Sequence, residues 1–297
     1  MTLNTDNAIL YRIKRGEQMN GIIDVGGGMR DVYGAGVFDR LLDDGIKFSY
    51  ITGVSAGSAN AVTYLAGQRG RNFTCYMEYT FRKEYMSMRN YLKKGSYVDL
   101  DYVYGTLSDT RAENPLDFKA VAESKAQLNV VATNALTGEA VIFHTDDMDA
   151  DDFSPLKASS CLPVVGKPVY IGPVPYFDGG MSDPVPLEKA LADGCEKIVL
   201  ILTKPKNAER TPGFDKKAAA LIARKYPKAA YGLAQRCARY NAAVQKAKQL
   251  EKEGRVLILA PDDCCGVDTL KRSKESLYAL YKKGYADAAA VKDFLNK

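Results

Sequence analysis

The sequence predicts an α/β fold with a mostly parallel central sheet, followed by a helical C-terminal part. The first observation is an apolar run at 21–25, a glycine loop and a helix-like stretch at 33–44, in the order strand, loop, helix. Residues 50–54 and 56–67 repeat that order, and successive units of this kind pair their strands in parallel. The second observation is a change after Thr203 to long stretches rich in Ala, Lys and Arg.

Five later apolar runs extend the predicted sheet, with helices between most of them. The predicted strands are Leu128–Thr133, Ala140–His144, Val169–Ile171, Ile198–Thr203 and Arg255–Leu259. C-terminal helices are predicted over Lys216–Leu250 and Leu270–Leu295. Pro227 is expected to interrupt the first of them, because proline breaks a helix interior.

Composition limits the classes of function. The 41 Lys and Arg residues exceed the 36 Asp and Glu residues by five, and the excess lies mainly in the C-terminal third. This charge permits peripheral contact with an anionic membrane, but no nucleic-acid-binding module accompanies it, so nucleic acid is not an expected partner. The six cysteines show no CxxC spacing and no histidine pairing, which indicates reduced thiols and no metal site.

The N-terminal segment Met1–Asn20 is polar and mixed in charge, without the apolar core of a signal peptide. No later run has the apolar length that crosses a bilayer. We therefore expect a cytoplasmic location, and the basic C-terminal part permits a peripheral position at the inner face of the membrane. The sequence leaves the oligomeric state open.

A candidate nucleophile lies in the segment Gly53-Val54-Ser55-Ala56-Gly57, which fits the G-x-S-x-G elbow. In this motif a serine sits on a sharp strand-to-helix turn, and glycines two residues to either side avoid collision with the neighbouring strand and helix. The motif follows one predicted strand directly and opens a predicted helix, which is the context that the elbow requires. A plain Gly-Ser turn with Ser55 as a helix N-cap is the structural alternative.

A glycine-rich loop, Gly26-Gly27-Gly28-Met29-Arg30, lies between the first strand and the first helix. Its N–H groups can converge on one point, which suits either a phosphate or the oxyanion of an ester under attack. The dinucleotide pattern G-x-G-x-x-G fails at its last position, Asp31, and no P-loop motif occurs in the chain. Acyl chemistry is therefore favoured, and a glycine turn that only lets strand and helix pack closely is the structural alternative.

A serine hydroxyl needs a base within hydrogen-bond reach. The chain has a single histidine, His144, inside a predicted strand, and the order Ser, His, Asp does not match that of α/β-hydrolases. The best-placed carboxylate is Asp178, followed by Gly179 and Gly180. It can act as the base if desolvation raises its pKa, although Asp-Gly-Gly is also a common turn sequence.

Taken in order, the three motifs Gly-Gly-Gly-Met-Arg, Gly-Val-Ser-Ala-Gly and Asp-Gly-Gly resemble those of the patatin-like phospholipase family. The segments Ala158–Pro163 and Asn60–Gly67 also resemble family segments, and the resemblance covers residues 20–205. It implies a three-layer α/β/α sandwich with a patatin-like catalytic domain at 20–205. The helical remainder, 206–297, resembles an extension of some bacterial members and is expected to pack on that domain.

The resemblance also implies a Ser-Asp dyad, with Ser55 as nucleophile and Asp178 as base, that hydrolyses acyl esters of lipids such as phospholipids or lysophospholipids. No metal or organic cofactor is implied. The oxyanion hole implied by the resemblance consists of Gly26, Gly27, Gly28, Met29 and Arg30.

The sequence departs from the family pattern at Val25, where an acidic residue usually precedes the glycines, and at Asp31, where glycine usually follows the arginine. We expect Asp31 either to disfavour negative charge near the loop or to pair with Arg30, with reduced activity or a narrower substrate range. Two other functions stay open at this point. One is a Ser-His-Asp esterase or peptidase that uses His144, and the other is a noncatalytic module whose positive C-terminal helices bind lipid surfaces.

Overall fold

The computed structural model describes residues 19–297, and these form one eight-stranded sheet between layers of helices. The expectation for the N-terminal segment lies almost wholly outside these residues. The strands are β1 Asn20–Asp24, β2 Tyr50–Val54, β3 Gln127–Asn134, β4 Ala140–Phe143, β5 Val169–Ile171, β6 Val174–Asp178, β7 Lys197–Ile201 and β8 Val256–Leu259. Their order across the sheet is β5-β6-β3-β2-β1-β7-β8, and β4 also pairs with β3.

The helices cover both faces of the sheet. They are α1 Val32–Asp43, α2 Ala56–Leu65, α3 Arg71–Met77, α4 Met88–Lys94, α5 Phe118–Glu123, α6 Ser154–Ser159, α7 Leu187–Ala192, α8 Gly213–Ile222, α9 Pro227–Lys252, α10 Lys274–Asp287 and α11 Ala290–Asn296. Successive residues of β1 point to opposite faces, so Ile22 packs with residues of α1, α2 and α10, whereas Ile23 packs with residues of α7 and α9. The three-layer α/β/α architecture is confirmed.

The five strands β3, β2, β1, β7 and β8 run parallel to one another, as predicted. Strands β4, β5 and β6 are antiparallel additions at one side. The prediction missed β6, whose sequence Val-Pro-Tyr-Phe-Asp contains a proline, a residue that argues against a strand interior. Pro175 is tolerated in β6, and its carbonyl accepts a hydrogen bond from the backbone N–H of Ala135.

Strand β3 brings the ends of β2 and β6 together. Its residues 127–131 pair with β2, and the last of these pairs joins Val131 to Val54. Strand β4 pairs with residues 130–133 and so occupies the other edge of β3. Strand β6 must therefore continue along the edge that β2 leaves, where Ala132 pairs with Asp178. The residue after Val54 and the last residue of β6 consequently meet at the carboxyl end of the parallel strands.

The C-terminal part is integrated with the rest of the fold. Strand β8 extends the sheet by pairing with β7, and α9 packs on the β8 side. Helix α10 packs closely against α1, where the hydroxyls of Tyr33 and Tyr281 donate hydrogen bonds of 2.7 and 2.8 Å to Asp287 and Asp39. Pro227 is the first residue of α9, a position that lacks an N–H partner in any helix. The boundary between 205 and 206 stays a prediction.

Candidate active site

Ser55 occupies the turn between β2 and α2 in a backbone conformation that non-glycine residues rarely adopt, with φ 58° and ψ −128°. The turn is so tight that a Cβ atom at Gly53 would lie 2.4 Å from the Cα atom of Ser58, and one at Gly57 would lie 2.5 Å from the carbonyl oxygen of Asp24. Both glycines are therefore required by close approach. The geometry is that of a nucleophile elbow, with the half-buried Ser55 facing a cavity.

Two serine hydroxyls fix this turn. The backbone N–H of Ser55 donates a hydrogen bond of 2.9 Å to Oγ of Ser159, which is fully buried at the end of α6. The hydroxyl of Ser58 donates a hydrogen bond of 2.6 Å to the carbonyl oxygen of Ser55. Both backbone groups of the strained residue are thus satisfied by side chains. In the sequence, Ser159 belongs to the segment Ala158–Pro163 that resembles the family, but no local pattern predicts a role for it.

The glycine loop runs against this turn. Gly26, Gly27 and Gly28 all have positive φ, and a Cβ atom at Gly26 would lie 3.1 Å from that of Ser55. Two of the loop's N–H groups are already engaged, because Gly26 donates to Oδ1 of Asp24 at 3.1 Å and Met29 donates to the carbonyl oxygen of Thr269 at 3.0 Å. The N–H groups of Gly27 and Gly28 donate no hydrogen bond to the described part of the chain.

Asp178 ends β6 and is almost completely buried. Its N–H donates to the carbonyl oxygen of Cys161 at 2.8 Å, and its Oδ1 atom accepts a hydrogen bond of 2.8 Å from the N–H of Gly180. The Oδ2 atom has no hydrogen-bond partner within residues 19–297. One carboxylate oxygen is therefore free in the interior.

The environment of Asp178 shifts its ionisation. Burial raises the pKa of the carboxyl group, while the positive charge of Arg236 and the nearby hydroxyl of Ser55 act in the opposite direction. The Ser55 side chain thus lies within the influence of the carboxyl group without a completed hydrogen bond between them.

The second departure from the family pattern forms a buried carboxyl pair. Asp31 and Asp24 are both fully buried and converge on Gly34, where a Cβ atom would lie 2.6 and 2.5 Å from their carboxyl oxygens. The amide of Asn60 donates hydrogen bonds of 3.1 Å to the Asp24 carboxylate and to the carbonyl oxygen of Asp31. Burial raises the pKa of Asp24 to about 6, and burial together with the charge of Asp24 raises the pKa of Asp31 well above its usual range.

Arg30 does not pair with Asp31. Its guanidinium forms an ion pair with Asp268 and donates a hydrogen bond of 3.0 Å to the hydroxyl of Thr269. Of the two expectations for Asp31, the pairing with Arg30 is therefore not found, and the acidic partner of the guanidinium is Asp268, 238 positions further along the chain. Val25, the other departure, packs in the core between the sheet and α9.

An apolar cavity opens beside Ser55, the glycine loop and the start of α2. The polar residues that line the cavity include Arg71 and Ser108, and the guanidinium of Arg71 donates a hydrogen bond of 2.9 Å to the hydroxyl of Ser108. Such a shape and lining suit a hydrocarbon chain whose carbonyl end lies at Ser55. The apolar and aromatic residues of the wall are Met29, Ala56, Ala59, Tyr76, Tyr85, Met86, Val98, Leu100, Val103, Tyr104, Leu107, Leu162 and Leu270.

His144 lies elsewhere. It follows β4, and its Nδ1 atom is 3.0 Å from the carbonyl oxygen of Leu128, near the amino end of β3. Asp178 pairs with Ala132, four residues further along the same strand, which corresponds to about 13 Å. His144 is also absent from the cavity wall. The structure brings Ser55, the glycine loop and Asp178 together and does not bring His144 to them.

Residues 19–297 contain no cluster of three or more His, Cys, Asp or Glu side chains that could hold a metal ion. In the same part of the chain, no helix combines the length and the apolar character needed to cross a bilayer.

Comparison with known proteins places the chain in a family. A family model described as "Patatin-like phospholipase" matches residues 25–191, more than half of the chain, and includes the elbow, the glycine loop and Asp178. The chain belongs to the patatin-like phospholipase family. Within this member, a second model, described as a domain of unknown function (DUF6363), matches residues 226–296 and so covers β8 and the helices around it.

Two individual proteins are similar to this patatin-like phospholipase family member. "Uncharacterized protein YjjU" from Escherichia coli (strain K12) is 27% identical over 207 aligned residues. The match covers 65% of this chain and 54% of that protein. The chain thus spans about half the length of this curated relative. The crystal structure of VipD from Legionella pneumophila matches with 16% identity and a TM-score of 0.49 over 93% of this chain and 67% of that one.

Proposed function

We propose that this protein is a serine acyl hydrolase that cleaves acyl ester bonds of lipids through Ser55 and Asp178. The observation that carries the proposal is the register of β3, which sets the free carboxylate oxygen of Asp178 beside a serine on a strained elbow. The apolar cavity at the same serine and membership of the patatin-like phospholipase family support a fatty acyl ester as the substrate.

In the first half of the reaction, Oγ of Ser55 attacks the ester carbonyl carbon while the Asp178 carboxylate takes the hydroxyl proton. The carbonyl oxygen becomes an oxyanion, and the unengaged N–H groups of Gly27 and Gly28 are the donors that the loop offers it. Collapse of the tetrahedral intermediate breaks the bond to the alcohol oxygen, which leaves with the proton from Asp178. Ser55 is then acylated.

In the second half, water attacks the acyl carbon and gives its proton to Asp178. The same two N–H groups bind the second oxyanion. Its collapse releases a fatty acid, and the proton returns to Ser55. A raised pKa at Asp178 suits this role, because a carboxylate with an ordinary pKa is too weak a base to accept a hydroxyl proton efficiently.

The experiment is intact-mass labelling with a fluorophosphonate probe, applied to the wild type and to the Ser55→Ala, Asp178→Asn and His144→Ala variants. We expect one adduct on the wild type and on His144→Ala, none on Ser55→Ala, and slow or absent labelling of Asp178→Asn. Loss of labelling in His144→Ala with retention in Asp178→Asn would replace the dyad by a histidine-dependent site. An unlabelled wild type that hydrolyses no acyl ester would refute the proposed activity.

A further inference from the structure

Four cationic side chains gather beside the candidate active site, outside the apolar cavity. They are Arg30 of the glycine loop, Lys204 and Arg210 after β7, and Arg236 on α9, and none of them lines the cavity wall. We call them the cationic cluster. Because the loops after β1 and β7 both leave the carboxyl edge of the parallel sheet, the cluster lies where ligands of open α/β sheets bind.

Arg210 is the most unusual member. Its guanidinium stacks on the ring of Tyr240, with Cζ 3.8 Å from the ring centre, and its buried Nε atom has no hydrogen-bond partner within residues 19–297. Burial lowers its pKa to about 10, and the charges of Arg236 and Arg30 act in the same direction. A buried cation among other cations is costly unless an anion joins it.

The backbone holds Arg210 in place. Its N–H donates a hydrogen bond of 3.0 Å to Oδ1 of Asn241, and the Asn241 side-chain amide donates one of 3.0 Å to the Arg210 carbonyl oxygen. With the ring of Tyr240 beneath it, the guanidinium is preorganised before any ligand arrives. A preorganised donor loses little conformational entropy on binding.

Arg236 connects the cluster to the reacting groups. A Cβ atom at Gly180 would lie 3.4 Å from its Nη2 atom and 3.0 Å from Oδ1 of Asp178, so the guanidinium passes beside the candidate base. Its buried Nε atom also has no hydrogen-bond partner in the described part of the chain, and its Nη1 atom is 3.7 Å from Asp215. The side chain is 21% exposed and can still meet a ligand.

The acidic groups near the cluster do not balance its charge. Asp215 faces Arg236 at a long distance, and Asp268 pairs with Arg30 but is 73% exposed. The third acidic group, Asp178, is the candidate base itself. For Lys204, burial and the charges of Arg30 and Arg210 lower the pKa, against a smaller contribution from Asp268. The four cations of the cluster therefore lie near one another, beside Asp178, with two acidic partners other than the base.

We propose that Arg210 and Arg236, assisted by Lys204, bind a phosphate group on the alcohol side of the ester substrate. This inference rests on the proposed function, because it places the acyl chain in the apolar cavity and the leaving alcohol on the other side of the scissile bond. Arginine matches phosphate oxygens with two parallel hydrogen bonds, and a partly desolvated pair binds phosphate better than exposed lysines do. The C-terminal part of the chain thereby selects the substrate's head group.

The test compares two esters with one acyl chain, a 1-acylglycerol 3-phosphate and the corresponding 1-acylglycerol. We expect the wild type to have the higher kcat/KM for the phosphate ester. In Arg210→Gln, the ratio of the two kcat/KM values is expected to fall about tenfold, since a charge-assisted hydrogen bond is lost for one substrate only. The ratio cancels any effect of Arg210 on Asp178, because such an effect is common to both esters.

The matched control is the Arg224→Gln variant. Arg224 is an exposed arginine of the turn after α8, so this variant should keep the wild-type ratio of the two kcat/KM values.

A binding measurement separates this inference from the chemistry. The Ser55→Ala variant is titrated calorimetrically with glycerol 3-phosphate, with inorganic phosphate and with glycerol. The same titrations are then made on the Ser55→Ala, Arg210→Gln double variant. We expect glycerol 3-phosphate to bind and the double variant to lose about tenfold in affinity. Stronger binding of inorganic phosphate, together with equal kcat/KM for both esters, would assign the cluster to free phosphate and overturn the head-group inference. Absence of turnover on both esters and of any probe adduct would instead refute the proposed function.

Discussion

The buried hydroxyl of Ser159 accepts a hydrogen bond of 2.9 Å from the backbone N–H of Ser55. Two residues later, the carbonyl oxygen of Cys161 accepts one of 2.8 Å from the N–H of Asp178. One short segment at the end of α6 therefore holds both members of the proposed dyad through their backbones. Because the conformation of Ser55 is strained, its position depends on such external contacts.

We expect Ser159→Ala to lower kcat/KM for a short-chain ester about tenfold and to destabilise the fold by about 1–3 kcal/mol, since the N–H of Ser55 loses its acceptor. The matched control is Ser154→Ala at the start of the same helix, whose hydroxyl bonds only Asp152 at the surface. Kinetics and urea unfolding check the prediction. Equal kcat/KM in both variants would show that the Ser159 hydroxyl does not position the nucleophile.

The pH dependence of the reaction should report the environment of Asp178. The base must be ionised, so kcat/KM falls as the pH decreases through the raised pKa of this carboxyl group. Arg236 is the largest of the influences that lower this pKa. Arg236→Gln should therefore raise the pKa and move the acidic limb of the profile to higher pH.

The measurement is the pH profile of kcat/KM for a neutral p-nitrophenyl ester, which has no phosphate for Arg236 to bind. Arg224→Gln, which removes an exposed arginine elsewhere, should leave the limb where the wild type has it. A limb that moves to lower pH in Arg236→Gln, or that does not move at all, would contradict control of Asp178 by Arg236.

The carboxyl pair of Asp24 and Asp31 should make stability depend on pH. The folded-state pKa of Asp24 is about 6, above the ordinary 3.8, so the folded state binds protons more strongly than the unfolded chain. The contribution of the pair to the free energy of unfolding is fully present below the pKa of the unfolded state. It is lost as the pH rises through the pKa of the folded state. The loss is on the order of 3 kcal/mol for Asp24.

We expect Asp31→Asn to be more stable than the wild type at pH 8, with a difference that shrinks at pH 5. An amide at this position adds no charge and can donate a hydrogen bond to Asp24. Denaturant unfolding at the two pH values checks this, with the exposed Asp146→Asn as control. A variant less stable than the wild type at pH 8 would show that the pair is not a source of charge repulsion.

The sequence was sufficient for features that depend on neighbouring residues. The elbow glycines, the alternation of β1 and β2 with their helices, and Pro227 as a break between helices were all predicted from local patterns and are found in the structure. Strand β6 was missed because Pro175 masks a strand that tertiary pairing stabilises. The prediction of Asp178 as the partner of Ser55 came from the family resemblance that the order of the motifs carries.

Contacts between distant segments were outside the reach of such patterns. A pairing of Arg30 with Asp31 was one of the two alternatives expected from the sequence, but Arg30 pairs with Asp268, which the packing of the C-terminal part brings near. The same packing supplies the acceptor for the N–H of Met29, at Thr269. In the predicted oxyanion loop, Gly26 and Met29 already use their N–H groups within residues 19–297, whereas Gly27 and Gly28 do not. No sequence signal distinguished these two pairs.

The apolar cavity predicts how acyl chain length is selected. Val103 is a half-buried wall residue in a short π-helical segment, Tyr102–Thr106, and it packs at the edge of the main core, outside the fully buried positions. We expect Val103→Phe to shift the optimum toward shorter acyl chains and Val103→Ala to shift it toward longer ones. Val103→Ala removes two carbon atoms from the wall and Val103→Phe adds four, so specificity changes of at least about 10-fold are expected. Profiles of kcat/KM over p-nitrophenyl esters of increasing chain length measure both shifts. Because the two variants should move the optimum in opposite directions, a shift of both in the same direction would indicate general damage and would place the acyl chain elsewhere.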